Sequence, residues 1–226
     1  MNQRITTSGT QAAGTTTVTR TLLACGAVAG PLYLVVGLAQ AFTRPGFDLT
    51  RHPLSLLSNG DLGWIQITNF LLSGLLVVAG AVGMRQALAS GRGRTWGPLL
   101  VGVYGLGLIG AAFFVADPAQ GFPPGTPADA NTVSWHGLGH LVSGGIGFLS
   151  LIAACFVFAR RFAGLGQRGW AAFSVITGVV FFASFVGIAS GGSGNRWTNL
   201  GFWAGVILTW AWITAVTLRL RRELPS

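Results

Sequence analysis

The chain holds only three histidines, and two of them stand four residues apart at the head of an apolar run. The run reads Ser-Trp-His-Gly-Leu-Gly-His-Leu-Val-Ser-Gly-Gly, from Ser134 to Gly145. On a helix, His136, His140 and Ser143 leave one face. A helical His-x-x-x-His pair can chelate a metal through both rings, as in zinc hydrolases. Those enzymes carry a glutamate directly after the first histidine, and here that position is Gly137. A zinc site needs a third ligand and an open position for water. His52 is the candidate third nitrogen, while Asp61 and Asp117 are candidate bases or further ligands. The competing reading is a hydrogen-bonded histidine pair that holds loops in place at the membrane edge. A haem reading is weaker, because axial ligands must lie on opposite faces of the macrocycle.

These residues must be positioned by membrane helices. Of 226 residues, 51% are hydrophobic and only 8% are charged. A soluble domain carries about 25% charge. Glycine, at 35 residues, is about twice as frequent as average, which fits close helix packing in lipid. Six stretches without a formal charge, near 21–41, 64–84, 96–116, 137–159, 170–190 and 198–218, have the length to cross a bilayer. A single central charge would cost about 2.5–3.5 kcal/mol on insertion scales, so their absence from all six runs marks spanning helices. The fold class is therefore an all-α six-helix membrane bundle over 21–222, preceded by a Thr-rich tail, 1–20, expected to be disordered. The first run exceeds the core of a signal peptide and reads as an uncleaved helix, despite the cleavage-like Ala39-Gln40-Ala41 at its end.

The net charge is +9, and all 14 basic residues are arginine. They cluster beside the apolar runs rather than in a patch, which fits membrane topology and argues against nucleic acid. With the N-terminus inside, eleven arginines are cytoplasmic and three (Arg44, Arg51 and Arg196) are external. Both termini are then cytoplasmic, in a multi-pass plasma-membrane protein. The same assignment sends every histidine and four of five acidic residues to the outer side. Cys25 and Cys155 lie in apolar runs with no CxxC spacing, so no thiolate zinc site or redox motif is indicated.

The first outer loop predicts a short helix after Pro53, tucked against the bundle and stopped at Ser58-Asn59-Gly60. Trp64 is the interfacial anchor of the second span. Gln66, Asn69 and Ser73 fall on one face of that span and must meet protein or a wet cavity. Gln66 and Asn69 are therefore candidate ligand contacts, and interhelical hydrogen bonding is the plainer use of such residues. The second outer loop, rich in proline and glycine from Asp117 to Asp129, is either a connector or a lid. Arg196 can bind an anionic headgroup, pair with an aspartate or anchor a helix end. Ser193, in a glycine-rich loop, is a flexible turn rather than a nucleophile. GxxxG spacings at Gly26/Gly30 and Gly187/Gly191 are helix-contact candidates.

Three stretches carry a resemblance: "RHPLSLLSNGDLGWIQITNFLLSG", "DPAQGFPPGTP" and "SWHGLGHLVSGG". In this order they resemble the bacterial membrane proteins grouped as domain-of-unknown-function family 998, over about residues 20–222. The resemblance implies a compact six-helix membrane protein and no activity. A looser similarity is to membrane hydrolases of the alkaline ceramidase type, in which three histidines and an aspartate hold zinc near one membrane face. Two functions remain open. One is a zinc-dependent hydrolase of a lipid or amphiphile, with His52, His136 and His140 on the metal and Asp61 or Asp117 moving the proton. The other is a non-catalytic membrane protein that binds a lipid, small ligand or partner protein, its histidines structural.

Overall fold

A computed structural model describes residues 4–130, 132–192 and 194–225, with side chains from residue 16 onward. Six helices account for most of it: α1 (Arg4–Thr43), α2 (Gly63–Ala87), α3 (Trp96–Phe113), α4 (Trp135–Gly164), α5 (Arg168–Gly187) and α6 (Arg196–Glu223). All six are long and apolar enough to span a membrane, α1 through its Thr16–Thr43 portion. No β-strand occurs among the described residues.

α1 begins at Arg4, well before the expected edge of the first span. The residues just before that edge belong to the bundle. Thr19 donates its hydroxyl to Gln86 on α2, and Arg20 donates to the carbonyls of Leu224 and Pro225. Pro53 caps a short 3-10 helix, Leu54–Ser58, where the first outer loop predicts one. Its three leucines are buried, and Gly60 ends it with φ +72°.

The helices run alternately up and down, and each packs against the next in sequence, with α6 returning to α1. The result is a ring. Among the described residues the backbones of α1 and α4, α2 and α5, and α3 and α6 do not approach one another. Lipid tails are as apolar as leucine, so close backbone approach must hold such a ring together. Glycine supplies it. Gly26 on α1 meets Gly80 on α2, Gly74 on α2 meets Gly105 on α3, and Gly107 on α3 meets Gly147 on α4. Gly30 lies against Trp210 and Thr214 and closes α1 onto α6. The Gly26/Gly30 spacing thus serves two interfaces at once. Gly187 meets Thr198, but Gly191 lies in a break after α5 with no neighbour, so the second GxxxG spacing forms no joint.

The two ends of the ring differ. At the arginine-rich end the interior is filled: Phe158 packs on Trp212, whose indole N–H donates to Ser174 at 2.9 Å. Arg219 lies over Trp170 and Phe162 there. At mid-depth Tyr33, Tyr104 and Trp210 form an aromatic floor, with ring centroids 4.8 and 5.6 Å apart around Trp210. Above that floor, toward the loops that carry the histidines, the ring is hollow.

A methyl group on Gly80 would fall 2.6 Å from the Gly26 Cα, whereas one on Gly201 meets nothing. Gly80→Ala is therefore expected to cost about 1–3 kcal/mol as overpacking. Gly201→Ala is expected to be neutral or to gain roughly 0.5–1 kcal/mol from helix propensity. Thermal denaturation in one detergent compares the two.

Candidate ligand cavity and its histidine cap

Two loops, 44–62 and 114–134, close the hollow end, and their joint is aromatic and cationic. Phe122 is fully buried in it, edge-on to Phe47 at 5.2 Å and against the His52 ring at 5.6 Å. The Arg44 guanidinium lies 5.0 Å over the same ring and donates to the carbonyls of Leu57 and Asn59. The second loop is thus a lid, anchored by Phe122. Asp61 is exposed, and its charge opposes the lowering that burial imposes on the Arg44 pKa.

His52 is 2% exposed and has both ring nitrogens engaged. Nδ1 accepts the Asp48 N–H at 2.9 Å, which assigns the proton to Nε2, and Nε2–H donates to the Gln120 carbonyl at 3.0 Å. The ring is a strut between the two loops. Thr50 donates its hydroxyl and its N–H to Asp48 Oδ1, holding this exposed carboxyl below the usual range. The associated stabilisation is present above about pH 4 and lost as pH falls through the lowered value.

The start of α4 is built around Asp117. Its carboxylate accepts the Ser134 N–H at 2.7 Å and the Ser134 hydroxyl at 2.6 Å. Ser134 in turn caps the helix by accepting the Gly137 N–H at 3.0 Å. A Cβ on Gly137 would collide with the Asp117 carboxylate. The position where a zinc hydrolase carries glutamate is glycine here because a carboxylate from the preceding loop fills that space.

His140, one turn deeper, is buried and donates Nδ1–H to the Phe114 carbonyl at 2.8 Å. In the neutral ring this leaves Nε2 as an acceptor. His136 is exposed and stacks on Trp135 with centroids 3.5 Å apart. The shared helical face does not bring a metal ligand set together. His52 is committed to two backbone groups and Asp117 to Ser134. Among the described residues no three His, Cys, Asp or Glu side chains are placed to hold one ion. The expected zinc site does not fit this geometry.

Gln66 and Asn69 are buried between α1 and α2, away from the hollow. Gln40 donates to Gln66 Oε1 at 2.9 Å, and Asn69 donates to the Tyr33 carbonyl at 3.1 Å. They join α1 to α2 and do not border the hollow. Arg196 is exposed and lies 5.6 Å over the Trp197 ring at the start of α6. Ser193 lies outside the described residues. Cys25 and Cys155 are free thiols.

The hollow itself has a volume of about 760 Å³ and draws walls from all six helices. Tyr33, Phe70, Tyr104, Phe148, Phe181 and Trp210 make its deep part aromatic. His140, Asp117, Gln120, Asp129 and Ser55 gather at the loop end. A polarity gradient therefore runs along it. The cavity was not foreseen from the sequence. Its available signals were the Gly144-Gly145 pair and the aromatic residues spread over all six spans, which single-helix patterning cannot assign to a common space.

Asp117→Ala and Gly137→Ala are expected to act alike, both freeing the second loop from α4. Loss of the cap interaction should cost about 0.5–2 kcal/mol. Limited proteolysis should then cut between residues 119 and 133 faster in both variants than in the parent.

No curated protein and no solved structure matches the chain. A family profile matches residues 27–219, from α1 into α6 and across both loops of the cap, and its description is "Protein of unknown function (DUF998)". The chain belongs to the DUF998 family.

Proposed function

We propose that this protein binds an amphiphile within the bundle, with the apolar chain in the aromatic part of the cavity and the polar end beside His140. The observation that carries this is the cavity. Its volume of about 760 Å³ lies within the range typical of small-molecule sites, and its few polar groups converge at one end. His140 serves there as an oriented hydrogen-bond partner, with its tautomer set by Phe114. His52 and Asp117 hold the cap closed over it. The hydrolase reading would need to release those groups from their present partners, which favours binding without catalysis.

The arginine distribution supports an orientation with the cap outside the cytoplasm of a plasma membrane. The polar end of the ligand then lies at the outer leaflet.

Native mass spectrometry of protein extracted in mild detergent tests the binding. About one amphiphile per chain is expected, as for a protein with a single principal site. Val206→Trp, which fills the cavity from α6, should lower occupancy about tenfold while the protein stays folded. Bare protein in the parent, or unchanged occupancy in the variant, would contradict the proposal.

A further inference from the structure

The cavity has a side as well as a lid. α4 and α5 are in tight contact near the arginine-rich end, where a Cβ on Gly178 would lie 3.1 Å from the Cys155 Cβ. Phe148 of α4 still meets Phe181 and Phe185 of α5, with ring centroids 5.1 and 5.5 Å apart, and toward the cap from Phe148 the two helices lean on different partners. α4 is held on α3 by Gly107 against Gly147 and by Gly110 against Ser143. α5 instead leans on α6, through Ser184 against Gly205 and Gly187 against Thr198. The two helices are therefore pulled to opposite sides.

The residues along the resulting gap carry the marks of an opening. Gly144 and Gly145 border the cavity, yet a Cβ on either meets nothing within 4 Å. They differ in this from the α4 glycines at 137, 139 and 147, each of which abuts a neighbour. Across the gap, Phe185, Ile188 and Ala189 also border the cavity. No described residue from Phe182 to Gly191 is buried. The flanking exposed side chains, Leu141, Val142, Ile146, Phe182 and Val186, are all apolar, as a lipid-facing surface requires. α5 also ends in a break, with Ser190 at ψ +17° and Gly191 at φ +88°. This end of α5 is thus free of a continuous helical tether to α6.

We infer that the gap between Gly144-Gly145 and Phe185-Ile188 is a lateral portal, through which the chain of a bilayer amphiphile enters the cavity sideways while the cap stays shut. The inference rests on the ligand reading above and names its route. The occupant is a single hydrocarbon chain drawn from the surrounding leaflet, because the portal opens onto apolar surface and leads to an aromatic floor. Its polar end stops at the level of His140 and Asp117, where the cavity becomes polar.

The test uses the whole protein in vesicles of phosphatidylethanolamine and phosphatidylglycerol, with mid-chain brominated stearate as the probe. Bromine quenches tryptophan on contact. Exposed Trp64, Trp96, Trp135 and Trp197 should be quenched as fast as the probe enters the bilayer. Trp203 and Trp210 both border the cavity, so a slower phase reports arrival there, and the part of it lost in Trp210→Phe reports arrival at the floor. Gly144→Leu and Gly145→Leu should each slow that phase about tenfold, and Phe185→Ala should speed it. The rate is the readout, so a new side chain that also takes up some cavity volume does not obscure the result. Parent-like rates in all three variants would overturn the portal while leaving the cavity occupied. Absence of any Trp210-dependent phase in the parent would overturn the ligand reading itself and the portal with it.

Discussion

Backbone-to-backbone contact at glycine is the constraint on which this structure depends. Helices in lipid gain little from burying apolar surface against each other, so association must come from close packing. Gly26 on Gly80, Gly74 on Gly105 and Gly107 on Gly147 provide three such joints in succession around the ring. Each sits at one wall of the bundle and leaves the interior to larger side chains. A ring of six helices held at its walls encloses space unless side chains fill it. Tryptophan and phenylalanine fill the arginine-rich half, and the other half stays open above Trp210.

The polar groups follow from that arrangement. An open end facing the membrane edge needs a cap, and the cap needs its own hydrogen bonds satisfied. His52 joins the two loops through their backbones, Asp117 ties the second loop to the head of α4, and Arg44 covers the Phe122 plug. The groups that look most reactive in the chain are thus mostly consumed by architecture. His140 is the exception, because its side chain borders the cavity while Phe114 fixes the orientation of its ring.

The spans were legible because hydrocarbon solvation acts on each segment separately. Expected ranges of 64–84 and 96–116 correspond to helices Gly63–Ala87 and Trp96–Phe113. The Gln66, Asn69 and Ser73 stripe was legible as a buried face, and its Gln66 and Asn69 side chains hydrogen-bond across to α1. The site was much less legible. Spacing alone places His136 and His140 on one face, yet only His140 turns out buried, because it packs beside Phe70 and the Phe114 carbonyl while His136 lies on exposed Trp135. The role of Gly137 depends on Asp117, twenty residues earlier, and no local pattern couples them. The cavity depends on all six helices at once, so no single segment could reveal it.

The ring is hollow on one side of Trp210, and a ligand chain is expected to occupy that space. An experimental density map of the protein in lipid nanodiscs decides this. Elongated density is expected to run from the Trp210 indole toward His140, with α4 and α5 parted beside Gly144. A ring collapsed inward, with α4 side chains packed onto α6 above Trp210 and no room for a chain, would contradict it.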